Sequence, residues 1–459
     1  MLSRTESPEG MPRDMFRHPL DEMIDMKHKL VVLSKTIDWD GLEESLSGLY
    51  TLEKGRPGKP IRLMVSLHYL KYMYNLSDEE VIARWLENPY WQYFSGMQYF
   101  QTEFPLHPTS LVKFRRRLKQ GDLEEIFQKT IESGLKLKVI KRRDFKRVNV
   151  DTTVMEKHIS YPTDGKLYYR AIEKLVKLAK RHGVELRQSY VRVGKEALVL
   201  AQRYAHSRKM KRAQAQIRRL RTYLGRLYRD IRRKVAGMSV ATREAFAKLL
   251  ILVERLLNQE RNDKNKLYSL HEPEVSCIAK GKVHKKYEFG SKVSLVTTSR
   301  GGFIVGALNF TGNPYDGHTL QQSIEQMERV CGATPEKIFV DKGYRGHNYT
   351  GRGEVYFPGQ YRKRGAPPRK WFRRRSSIEA SISHAKQKNR LSRNYLKGVE
   401  GDEINAILAA CGHNLRLILG SISFWLKNIW AILAILISSL RNFFKQKARI
   451  HSKVALFYP

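Results

Sequence analysis

From residue 20 to about 140, apolar side chains recur at helical spacing, and the breaks fall at helix signals. Ser77-Asp78-Glu79-Glu80 reads as a capping box opening a helix through Leu86, which Asn88-Pro89 closes. Pro108-Thr109-Ser110 opens another helix carrying Lys113, Arg115, Arg116 and Arg117, and Gly121-Asp122 is expected to end it. A short helix followed by a basic one fits a DNA-reading pair, or equally a plain bundle with a solvated basic face. At 145–155 the period changes to two, with Val148, Val150, Thr152 and Val154 alternating with Asn149, Asp151 and Thr153. This predicts a strand with one carboxylate, Asp151, in an otherwise uncharged stretch.

Residues 166–270 return to the helical period. Between 203 and 234, Ala213, Ile217, Leu220, Leu224, Leu227 and Ile231 form a coiled-coil-like seam. A second apolar helix, at about 241–262, is placed to pair with it antiparallel. Past 271, Tyr287–Thr298 and Gly302–Phe310 predict two strands around the turn Ser299-Arg300-Gly301-Gly302. A helix follows at about 317–331, then a short buried strand, Lys337–Val340, ending at Asp341, and a helix at about 371–388. This order predicts a mixed α/β core, split as 141–165 and 271–412 by a helical insertion at 166–270. A helical segment, 1–140, precedes the core, and an apolar and basic tail, 413–459, follows it.

Charge narrows the function. The 459 residues carry 85 Lys and Arg against 45 Asp and Glu, a formal net charge of +40. With 41% hydrophobic residues this is no disordered basic tail, and an enzyme of small metabolites has no use for such a charge. A polyanion is implied, nucleic acid first and an anionic membrane surface second. The 13 Lys or Arg at 203–234, against the single acid Asp230, favour a polyanion contact for that helix over simple solvation. Cys277, Cys331 and Cys411 form no C-x-x-C pair, which argues against a disulfide framework or cysteine zinc site and for a reducing compartment. The first twenty residues lack the apolar run of a signal peptide. In the tail, Arg416 and Lys427 interrupt the apolar residues, leaving 13 uncharged positions at 428–440, short of the ~20 of a membrane span. No stable membrane insertion is expected.

Three acids stand out as candidate chemistry. Asp151 lies inside a strand and Asp341 just after another, where an unpaired carboxylate is costly without a cation or metal. Glu379 lies on a helix, sharing one face with Arg375 four residues before it and Lys386 seven after. Asp316 reads as the N-cap of the helix it precedes. His318, His347 and His384 show no zinc spacing.

Together these pieces resemble one family. Val150-Asp151-Thr152-Thr153-Val154, Asp341-Lys342-Gly343-Tyr344-Arg345-Gly346 and the span from Arg375 through Glu379 to Lys386 are similar to the three catalytic boxes of DDE transposases of bacterial insertion sequences, the IS-five group above all. Supporting pieces are Gly312-Asn313-Pro314-Tyr315-Asp316-Gly317-His318, Asn394-Tyr395-Leu396-Lys397-Gly398 and the helical 60–120 segment. The chain departs from the pattern at Phe372, where the family often has Tyr, and in the 190 residues between Asp151 and Asp341.

The resemblance implies a ribonuclease-H-like α/β fold with Asp151, Asp341 and Glu379 as catalytic metal ligands for two Mg²⁺ ions, with Mn²⁺ as substitute. It implies Arg375 and Lys386 as DNA contacts, with Arg373 and Arg374 beside them. The basic insertion helix adds Arg218, Arg221, Arg229 and Arg232. The expected activity is cleavage at the element's terminal repeats and strand transfer by the freed 3′-hydroxyl, carried out in the cytoplasm by a homodimer on double-stranded DNA. The alternatives are a nuclease that cuts without joining, or a DNA-binding relative with a dead site.

Overall fold

The computed structural model describes residues 17–50, 58–260, 262–279, 285–362 and 364–425. Its centre is strand β1 (Arg147–Lys157). Val148, Val150, Val154 and Met155 are fully buried, but so is Asn149, and Thr152 and Thr153 are nearly so. Both faces of β1 are therefore covered, and the alternation read from the sequence does not mark a wet side.

Along one edge β1 pairs antiparallel with β3 (Glu288–Thr298), from Val148 opposite Thr298 to Glu156 opposite Gly290. The outer edge of β3 carries β4 (Ile304–Phe310) and the short β2 (Ser276–Ile278). The β3–β4 turn needs Gly301 and Gly302, whose φ values are +85° and +65°. Along its other edge β1 pairs parallel with β5 (Lys337–Phe339), which pairs parallel with β6 (Glu354–Tyr356). Farther along that edge lies β7 (Arg393–Asn394).

The front of the chain folds as α1 (Leu20–Met23), α2 (Lys29–Thr36), α3 (Trp39–Ser45), α4 (Ile61–Tyr74), α5 (Asp78–Glu87), α6 (Pro89–Phe94), α7 (Thr109–Arg115) and α8 (Gln120–Lys136). The Ser77/Glu80 capping box forms as expected at α5. Gly121-Asp122 does not end a helix. α7 stops at Arg115, and Asp122 sits in the first turn of α8, where its carboxylate accepts from the Lys119 N–H at 2.7 Å. Arg115 is not part of a solvated basic face either. It is 4% exposed and donates twice to Asp78, at 2.8 and 2.6 Å, while Lys71 reaches the same carboxylate at 2.8 Å.

Helix α4 is buried on nearly every side, and the front helices share one apolar core with the sheet. The Tyr72 hydroxyl donates to Asn405 at 2.8 Å, and Asn389 donates to the Tyr72 carbonyl at 2.9 Å. Gly412 lies so close to the Tyr72 backbone that a Cβ there would come within 2.7 Å of it. Asn405 and Gly412 belong to the last described helix, Gly398–Trp425. It is long and apolar enough to cross a membrane, but Leu415, Ile418, Leu419 and Ile422 are buried in the shared core. The boundary expected at 412 thus falls inside a core helix, because the apolar run there serves packing. The uncharged stretch at 428–440 lies outside the described residues.

Between β1 and β2 the chain forms α9 (Asp164–Arg181), α10 (Val191–His206), α11 (Met210–Ala236) and α12 (Val240–Asn258). These have their own core, built on Leu175, Leu220, Leu224, Leu227, Ile231 and Phe246. At the neck, Lys157 at the end of β1 is buried. Its ammonium lies 2.7 Å from Asp402, 3.2 Å from Glu272 and 3.8 Å from Glu274. The rest of the core adds α13 (Asp316–Cys331), α14 (Arg369–Arg374), α15 (Ser377–Lys388) and α16, the Gly398–Trp425 helix.

Candidate active site

Strand register brings two of the three acids level. β1 and β5 run parallel with Asn149 opposite Phe339, and Asp151 and Asp341 each come two residues later. β5 ends at Phe339, and among the described residues pairing on this edge of β1 resumes only at Glu156, with β7. Asp151 therefore lies where the sheet opens into a notch. It is half-buried, and its carboxylate accepts from the Thr152 N–H at 2.8 Å. Asp341 is exposed and accepts from the Lys342 N–H.

A fourth acid, Asp316, lies beside the Asp341 loop. Asp316 is not the N-cap of α13: Tyr315 holds that position and Asp316 is the first helical residue. Its carboxylate accepts from the Thr152 hydroxyl at 2.9 Å and from the nearly buried Lys292 ammonium at 2.7 Å. Its other oxygen faces the Asp341 loop, 3.6 Å from where a Cβ on Gly343 would stand. Tyr344 is fully buried beneath, and burial, then the charges of Asp151 and Asp316, push its phenol well above the usual range. Gly312–His318 singled out this segment in the sequence, but nothing in the spacing tied Asp316 to Thr152 or Lys292.

The third-box helix is broken. α14 ends at Arg374 and α15 starts at Ser377, so Arg375 sits at the junction. Asn149, two residues before Asp151, fastens that junction to β1. Its amide donates to the Arg374 carbonyl at 3.2 Å and to Ser377 Oγ at 3.4 Å, while its oxygen accepts from Ser299 at 2.8 Å. Glu379 stands on the first turn of α15, 66% exposed, and pairs with Arg375 at 3.6 Å. Nη1 of Arg375 is buried without a hydrogen-bond partner. Lys386 is half-buried on the last turn of α15. Phe372 packs edge-on against Phe339, Tyr356 and Tyr361, so at this position the ring fills an aromatic cluster. Arg373 and Arg374 are exposed, with Arg374 resting on the Trp371 ring opposite Arg147.

On the insertion, Arg218, Arg221, Arg229 and Arg232 are all exposed on α11. Two are engaged within the hairpin: Arg221 donates to the Leu257 carbonyl at 2.6 Å, and Arg232 reaches Glu254 at 3.4 Å.

Among the described residues, no three acidic, histidine or cysteine side chains gather closely enough to hold a metal ion. The donor chemistry at the notch nevertheless suits a hard divalent cation: one carboxylate on β1 and one just past the end of β5, with Glu379 on a helix fastened to β1.

Residues 18–117 match the family described as Transposase domain (DUF772), and residues 269–415 match Transposase DDE domain. The chain belongs to the DDE transposases of insertion sequences. This transposase is also 45% identical over 205 residues to "Uncharacterized protein ORF8 in nfe locus" of Rhizobium meliloti, a match covering 45% of this chain and 99% of that protein. No solved structure matches it. The DDE match contains Asp316, Asp341, Arg375, Glu379 and Lys386, whereas Asp151 and the helical insertion lie outside both matched stretches. Enzymes of this family act on DNA and use divalent metal ions.

Proposed function

We propose that this transposase cuts the ends of its element with Asp151, Asp341 and Glu379 and joins the freed 3′-hydroxyl to target DNA. The observation that carries the reading is the level placement of Asp151 on β1 and Asp341 just past the end of the parallel strand β5, with the Glu379 helix pinned to β1 by Asn149. The sheet order supports a ribonuclease-H-like core: β4, β3 and β1 antiparallel in turn, then β5 and β6 parallel to β1.

The three carboxylates would hold two divalent ions, Mg²⁺ with Mn²⁺ as substitute, which when bound supply Lewis-acid activation of the attacking oxygen and charge neutralisation at the leaving one. The chain's own groups do the rest. Lys292 and Thr152 hold Asp316 against β1, next to the loop that carries Asp341. Arg375, with an unmet buried N–H, and Lys386 present cations for substrate phosphate along α15, Arg375 by its planar fork and Lys386 as a point charge. Arg373 and Arg374 extend that surface, and the exposed arginines of α11 meet duplex phosphate farther out. Two element ends call for two active sites, hence a homodimer on DNA, working in the cytoplasm on the nucleoid.

The deciding experiment incubates the purified chain with Mg²⁺ and a labelled duplex bearing the inverted repeats that flank its gene. Nicks at the repeat boundary followed by joined products support the proposal. Nicks without joining indicate a nuclease only, and binding without nicks a non-cutting relative.

A further inference from the structure

A second depression opens beyond the end of α15. It is a groove of about 1070 Å³ between the front helices and the segment that follows α15. Its floor holds Lys71, Asp78 and Arg115, and its rim holds Arg116, Arg393 and Lys397. Both stretches matched as transposase domains contribute a wall.

The floor is electrostatically incomplete. Lys71 and Arg115 have side chains only 5% and 4% exposed, yet they share the single carboxylate of Asp78. The nearby His68 adds no negative charge, since burial and then Arg115 push it down to about 3, leaving it neutral. Burial and then Arg115 also push Lys71 down to about 8, the mark of a cation short of counter-charge. A buried excess cation is costly, and an anion in the groove offsets that cost.

The rim continues the same sign. Among the described residues, Arg116, Arg390, Arg393 and Lys397 make no ion pair with an acid. The groove also has acids, but Asp78 is used by the floor and Glu80 by the capping box, leaving Glu79 and Glu400. The Tyr395 ring is held between His158, with centroids 4.6 Å apart, and the Arg390 guanidinium at 5.4 Å, which gives the groove a stiff wall. Arg390 lies two residues past the end of α15, whose run from Glu379 to Lys388 spans roughly 14 Å at 1.5 Å per residue, and there the groove begins. That is about four base-pair steps of duplex.

We propose that this groove binds the phosphate backbone of the DNA whose scissile bond lies in the notch, about four nucleotides from the cut. This rests on the transposase function proposed above and adds to it a site, a ligand chemistry and a spacing.

The test compares three full-length proteins: wild type, the rim triple Arg116→Gln/Arg393→Gln/Lys397→Gln, and a control triple Lys27→Gln/Lys35→Gln/Lys138→Gln. The control removes the same charge from exposed front-segment positions outside the groove, Lys35 on α2 and Lys27 and Lys138 in turns. Affinity for repeat-bearing duplex is measured across a salt series, with cleavage assayed alongside. The expected result is a rim triple whose salt slope is shallower by about one unit for each phosphate no longer neutralised, and a control close to wild type. Equal losses in both triples reduce the effect to net charge and overturn the groove. So does a rim triple that binds like wild type. If inorganic phosphate alone stabilises wild type but not the rim triple against heat, while DNA affinity is equal in both, the groove is a free-anion site and the proposal fails. A wild type that binds no DNA at all overturns the transposase proposal itself, which separates the two failures.

Discussion

The side-chain amide of Asn149 donates to the backbone carbonyl of Arg374, 3.2 Å away. One bond thus joins the strand that carries Asp151 to the junction from which the Glu379 helix departs. Asn149→Ala leaves the Arg374 carbonyl and the Ser299 hydroxyl without their buried partner, at a cost of about 1–3 kcal/mol. It also frees α15 to shift against β1. Cleavage by the folded fraction is expected to drop roughly 10- to 100-fold, the scale of an ångström of misplacement. Denaturant melts beside single-turnover cleavage check this; loss of stability with cleavage per folded molecule intact would mean that the bond serves packing alone.

Asp341 is exposed and at the end of a strand, so Asp341→Ala should leave the melting temperature nearly unchanged. Cleavage should disappear while repeat-bearing DNA is still bound. The same pattern is expected of Asp151→Ala and Glu379→Ala. A near-normal cleavage rate in the Asp341 variant would remove this carboxylate from the site.

Arg375→Ala, at the α14–α15 junction, and Lys386→Ala, on the last turn of α15, test the proposed phosphate contacts. Each should reduce cleavage and strand transfer about tenfold or more, the scale of one charge-assisted hydrogen bond, with small changes in stability. If both variants lose folding in proportion to activity, the residues form only a surface ladder with Glu379.

The four arginines of α11 divide by structure. Changing Arg218, Arg221, Arg229 and Arg232 together to Gln should weaken duplex binding for all sequences and flatten its salt dependence by up to about 0.9 for each phosphate left unneutralised. Because Arg221 and Arg232 also bond within the α11–α12 hairpin, a separate Arg218→Gln/Arg229→Gln variant isolates the DNA effect from hairpin stability. A salt slope unchanged in both variants would confine the basic face to solvation.

The neck cluster predicts a pH dependence. Burial and then the neighbouring Glu272 push Glu274 up to about 7. The native state therefore keeps this proton while the unfolded chain releases it near the ordinary glutamate value, so stability falls as pH rises from about 4.5 to about 7 and is flat beyond. Glu274→Gln should raise the melting temperature at pH 8 and change it little at pH 5. An equal shift at both values would show that ionisation of Glu274 carries no penalty.

Much of this is legible in the chain. The alternation from Val148 to Val154 and the glycine turn before Ile304 follow from local spacing and form within a few residues of the expected bounds; the α11 seam also forms, but the helix expected from 203 is broken at 207–209 and restarts at Met210. The motif residues Asp151 and Asp341 are visible because a carboxylate inside or just after a strand is conspicuous among valines and isoleucines. Asp316 reads locally as a cap, and wrongly, because its bonds to Thr152 and Lys292 come from strands 164 and 24 residues away, and no local pattern encodes them. Arg115 misleads for the same reason: its partner Asp78 lies 37 residues earlier, so a buried ion pair looks like a solvated basic face.

The front helices and the sheet are packed about one apolar core, joined through Tyr72, Asn389 and Asn405. A shared interior leaves no swivel between the proposed phosphate groove and the notch. On that reading the protein is in effect a gauge: the distance from a gripped phosphate to the broken bond would be set by side-chain volumes, and an element end lengthened by half a helical turn between them would present the wrong strand to the notch.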